Sequence, residues 1–120
     1  MNVLIVECDQ NLAEIWSRHL ERRGAEVTVS NSQDAAVDRI QNTDVDVIVL
    51  SLDLESGSAF AVADFASYRQ PRARVVFVTR SSFFSDGSIF RLIPNTAAFL
   101  AAQTHPEDLA TIVEHHASGS

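Results

Sequence analysis

The sequence predicts an α/β protein: a doubly wound, five-stranded parallel sheet with helices on both faces. Three observations lead there. Short apolar runs, NVLIV at 2–6, VIVL at 47–50 and RVVFV at 74–78, have the length and near-continuous hydrophobicity of strands buried on both sides. The segments between them place apolar residues at helical spacing. The two patterns alternate along the chain, and such alternation implies right-handed crossovers that lay helices on both faces of a parallel sheet.

Asn2–Val6 forms the first strand. Leu12, Ile15, Trp16, His19 and Leu20 then make the apolar stripe of a helix, with Arg22 and Arg23 in its last turn and Gly24 just beyond. Ala25–Val29 alternates as a second strand. Asn31 or Ser32 caps a helix whose apolar side carries Ala35, Ala36, Val37 and Ile40. Asp46–Leu50 is the third strand. A helix over 58–70 presents Val62, Phe65 and Ala66 until Pro71 stops it. Arg74–Thr79 is the fourth strand. A loop and a short helix over 85–93 follow, ended by Pro94, and Ala97–Ala101 forms a fifth strand. Thr104 and Glu107 have capping-box spacing for a last helix presenting Leu109, Ile112 and Val113.

Composition narrows the function. A chain of 120 residues suits one domain with one core. A net charge of −7 disfavours nucleic acid and anionic membranes, which both select a basic face. No run approaches the roughly 20 apolar residues of a membrane span. The chain starts directly in strand-like sequence, which leaves no room for a signal peptide. The single cysteine, Cys8, excludes an internal disulfide and fits a reducing cytoplasm. The expectation is a cytoplasmic protein that binds neither nucleic acid nor membrane.

Chemistry in an open α/β sheet gathers at the carboxyl ends of the strands. In VDVIVLSLDLESG that position holds Ser51. A serine is a weak nucleophile without a base. His19 lies in the first helix, His105 in the final loop, and His115 and His116 at the C-terminus. No acid–base constellation converges, so an enzyme is not expected. Nor do His115 and His116 have a third ligand at metal-site spacing.

Four segments, VLIVECDQNL, DVIVLSLDLESGSA, RVVFVT and AAFLAAQTHPEDL, carry a resemblance. Over nearly its whole length the chain resembles the receiver domain of bacterial two-component response regulators. The resemblance implies a flavodoxin-like (CheY-like) sheet in strand order 2-1-3-4-5. It also implies one domain over residues 1–117, a short tail at 118–120, and no output domain. Receivers of this family accept a phosphoryl group from a histidine kinase on an aspartate ending the third strand. An acidic pair after the first strand helps them hold Mg²⁺.

Carried onto this chain, the acidic pair falls on Glu7 and Cys8, and the phosphoacceptor on Ser51. The hydroxyl residue of the fourth strand is present as Thr79. The lysine falls on Ala102, the proline after it on Gln103, and the switch aromatic of the fifth strand on Phe99. Asp53 falls where the family offers a backbone carbonyl to the metal. The scaffold matches while the chemistry departs, which implies a degenerate receiver. Glu7, Cys8, Ser51, Thr79 and Ala102 then line a vestigial phosphorylation pocket with no catalytic, cofactor-binding or metal-binding residue.

The departures have physical consequences. Mg²⁺ takes hard oxygen ligands, and a thiol is a soft substitute for a carboxylate. Mg²⁺ binding is therefore expected to be lost or weak. A charge-assisted hydrogen bond is worth roughly 1.5–3 kcal/mol, and Ala102 can supply none. Arg80, directly after Thr79, is the one basic residue placed to swing toward the pocket, but the reading favours a pocket with no cation in that role. Cys8 reads as a small filler with nothing to acidify its thiol, and Ser51 as a neutral group bonded to nearby backbone.

The aromatics suggest the output. Phe83, Phe84, Ile89, Phe90 and Arg91 crowd the region of the fourth helix, close to Phe99. A short helix buries only one stripe, so part of this cluster is expected at the surface, where an apolar patch marks an interface. Arg91 is of a type enriched at interfaces. In the resembled fold this is the face of the fourth helix, fifth strand and fifth helix. The expected partner is another protein, a signalling protein or kinase, or a second copy in a homodimer.

The sequence thus reads as a stand-alone, atypical receiver, a phosphorylation-independent signalling module acting by protein–protein contact or dimerisation. The alternative is a working phosphoryl-accepting receiver with a displaced acceptor such as Asp53 or Asp9. A flavin-phosphate binder is disfavoured, because ECDQNL after the first strand is acidic and repels phosphate.

Overall fold

The structure, a computed structural model, describes residues 1–54, 57–80 and 95–118. The short helix anticipated over 85–93 lies outside these residues.

The elements run β1 (Asn2–Val6), α1 (Gln10–Glu21), β2 (Glu26–Ser30), α2 (Gln33–Asn42), β3 (Val47–Ser51), α3 (Ala59–Arg69), β4 (Arg74–Thr79), β5 (Thr96–Ala101) and a C-terminal helix α4 (Pro106–Ser118). The five strands form one sheet in the order β2-β1-β3-β4-β5, and every pair is parallel. This is the CheY-like flavodoxin fold that the resemblance implies.

Side chains on a strand alternate between faces, and here the alternation sorts the core into two layers. Leu4, Val6, Ile48, Leu50, Val75 and Phe77 pack under α2 and α3. Val3, Ile5, Val47, Val49, Val76 and Val78 pack under α1 and α4. β3 is buried along its whole length, so its residues read as a continuous apolar run. The helices answer with one stripe each: Ala13, Trp16 and Leu20 from α1, Ala36 and Ile40 from α2, Ala59, Val62, Ala63 and Ala66 from α3. Burying a Val, Leu or Ile side chain is worth roughly 1.5–3 kcal/mol, which makes these two layers the main source of stability.

Several boundaries differ from the sequence reading. Ile15 stands 42 % exposed, because the inward stripe of α1 runs through Ala13, Trp16 and Leu20, and Ile15 falls about 100° away from Trp16. Ser32 takes the cap of α2, its hydroxyl accepting from the Ala35 N–H. Ser58 caps α3 in the same way. The capping box at Thr104 and Glu107 does not form. Instead the His105 ring accepts from the Glu107 N–H at 3.2 Å. Freed from the cap, the Glu107 carboxylate reaches α1, where it meets the His19 Nδ1 and the Arg23 guanidinium.

Two side-chain amides fasten loops at the other end of the molecule and beside α3. Gln70 donates to the Ile40 and Thr43 carbonyls, each at 2.6 Å, and accepts from the Val45 N–H. Gln33 accepts from the Ser58 N–H at 2.8 Å. The close approach at Gln33 requires Gly57, which has φ +90° and whose added Cβ would come within 2.3 Å of the Gln33 Cβ. No helix among the described residues is long and apolar enough to cross a membrane.

The α1–α4 clasp gives a pH prediction. Hydrogen bonds from His19 and then Arg23 lower the Glu107 pKa below its ordinary 4.5. A carboxyl depressed on folding contributes stability above its unfolded pKa and loses it as pH falls through the lower folded value. Glu107→Gln should therefore be less stable than wild type at neutral pH. The difference should shrink as pH drops below about 4.5, read by urea unfolding across that range.

Candidate functional site

Parallel pairing places the carboxyl ends of β1, β3 and β4 side by side, with Val6 paired to Leu50, and Ser51 to Val78. The residues that follow each strand therefore converge on one rim. β1 runs into Glu7 and Cys8, β3 ends on Ser51, and β4 ends on Thr79 with Arg80 next. Ala102, just past β5, closes the rim by donating its N–H to the Thr79 carbonyl at 2.8 Å. The five residues anticipated for the pocket are thus brought to one edge of the sheet.

Glu7, Ser51 and Thr79 are buried there. Glu7 is the deepest acid, with its side chain only 1 % exposed. One of its oxygens accepts from the Asp9 N–H at 3.2 Å. The Ser51 hydroxyl accepts from the Asp53 N–H at 3.2 Å, a local bond of the kind short polar side chains make in turns. The Cys8 thiol, half-buried, points across the rim at the Asp53 carbonyl, 3.4 Å away.

The main departure from expectation is Arg80. Its guanidinium enters the rim, with Nη2 at 3.1 Å from Asp9 Oδ2 and 3.6 Å from Glu7 Oε1. Its backbone N–H donates to Asp53 Oδ2 at 2.9 Å. One arginine thereby ties together the acids that follow β1 and β3. The reason is electrostatic: a carboxylate as buried as Glu7 is costly without a counter-charge, and Ala102 offers none. Asp9 does two jobs, since Oδ1 caps α1 through the Asn11 and Leu12 N–H groups while Oδ2 faces Arg80. The sequence reading treated Asp9 only as a possible acceptor. The signal that could have found this pair is the one basic residue following β4, set against an excess of acids at the rim.

Phe99 sits half-buried on β5 and packs on Phe77, with ring centroids 6.1 Å apart. Phe83, Phe84, Ile89, Phe90 and Arg91, the anticipated partner face, lie outside the described residues. Among the described residues no group of three or more His, Cys, Asp or Glu side chains is arranged to hold a metal ion. His19 is held in the α1–α4 clasp, and His115 and His116 stack edge-to-face on each other.

The ion pairs at Arg80 give a second prediction. Removing one partner of a buried pair leaves an uncompensated charge, which costs about 3–5 kcal/mol in a dry interior. Arg80 is 49 % exposed, so water screens part of this. Arg80→Ala should cost about 1–2 kcal/mol in urea unfolding, and adding Glu7→Gln should recover most of it. Additive losses in that cycle would mean the two residues are not coupled.

No protein-family model matches the chain, and no curated protein sequence is significantly similar to it. Solved structures do match. The receiver domain protein (CheY-like) of a response regulator from Methanospirillum hungatei JF-1 superposes with a TM-score of 0.88 at 19% identity, covering 98% of this chain and 94% of that one. The non-phosphorylated HemR receiver domain from Leptospira biflexa gives 0.86 at 21% identity, with 98% and 94% covered. The signal receiver domain of a putative Luxo repressor protein from Vibrio parahaemolyticus also gives 0.86 at 21% identity, covering 98% and 90%. The rim described above thus lies on a chain that has, from end to end, the fold of the response-regulator receiver domains.

Proposed function

We propose that this chain is a receiver-fold signalling module that works by protein–protein contact and not by phosphoryl transfer. The observation that supports it is the internal closure of the rim. Where phosphoryl transfer needs an acceptor carboxylate, β3 ends on Ser51, whose hydroxyl is already bonded to the Asp53 N–H. No base lies near enough among the described contacts to activate it.

The residues present do not suit Mg²⁺. That ion asks for hard oxygen donors in a near-octahedral array, commonly one or two carboxylates. Here the second acidic position is the Cys8 thiol, and it is directed at the Asp53 carbonyl. Glu7 Oε1 already accepts from the Asp9 N–H and faces Arg80 at 3.6 Å. The guanidinium supplies one positive charge among the Glu7, Asp9 and Asp53 carboxylates, so part of the charge that a metal would offset is already met by the chain. Asp53 is a poor displaced acceptor for the same reason, its carboxylate being held by the Arg80 N–H.

On this reading the module signals through its surface, with another protein or a second copy of itself, over the face that includes β5 and α4. No catalytic step is assigned to it.

Intact-mass measurement after incubation with acetyl phosphate and Mg²⁺ tests the reading. The expected result is an unmodified chain with an unchanged oligomeric state. A gain of about 80 Da, lost in Asp53→Asn or Asp9→Asn, would return the chain to phosphoryl transfer. Millimolar Mg²⁺ is expected to leave the melting temperature almost unchanged, whereas a bound ion would raise it by mass action.

A further inference from the structure

We draw no further inference here: the strongest candidate, the open apolar groove that Leu12, Ile15 and Ala102 line beside the Asp9–Arg80 ion pair, borders the rim already described, and nothing in the structure shows what covers it.

Discussion

Everything in this molecule depends on the parallel pairing of five short strands. Parallel strands need crossover helices, and the helices bury both faces of the sheet. That is why β1, β3 and β4 carry so few polar residues, and why a two-residue periodicity divides their side chains between two cores. The same pairing brings all the strand carboxyl ends to one edge. Chemistry-bearing residues from sequence positions as distant as Glu7 and Arg80 therefore share a rim without any long-range signal in the sequence.

At that rim one charge balance governs the rest. Glu7 is buried, and a buried carboxylate must be paired. The Arg80 guanidinium lies beside Glu7 and Asp9 and supplies the positive charge. Because Arg80 also bonds Asp53 through its backbone, the turn after β4 is tied to the loops after β1 and β3. The counter-charge at this rim thus comes from the chain itself.

The two ends of the sheet have opposite character. The carboxyl end gathers Glu7, Asp9 and Asp53 around Arg80, while Arg72 and Arg74, which have no ion-pair partner among the described residues, lie at the amino end. The α1–α4 clasp at Glu107 and the Gln70 clamp hold the layers around both ends.

The sequence by itself determined the fold class and the order of the described strands and helices. Apolar runs and helical spacing report burial directly, since each is the local trace of a two-sided sheet. The resemblance that the sequence carries implies other chemistry in the resembled family at Ser51, Cys8 and Ala102. Only the tertiary structure decided who pairs with whom. Glu107 looked like a cap and proved to be a bridge to α1, because its helix packs beside His19 and Arg23. Ile15 looked like core and faces solvent, because the register of α1 on the sheet is set by Trp16. Arg80 looked too uncertain to count and became the counter-charge of the rim. Local patterns record which residues are buried, whereas ion pairs and cavities arise from the packing of segments far apart in the chain, and no short window of sequence contains that information.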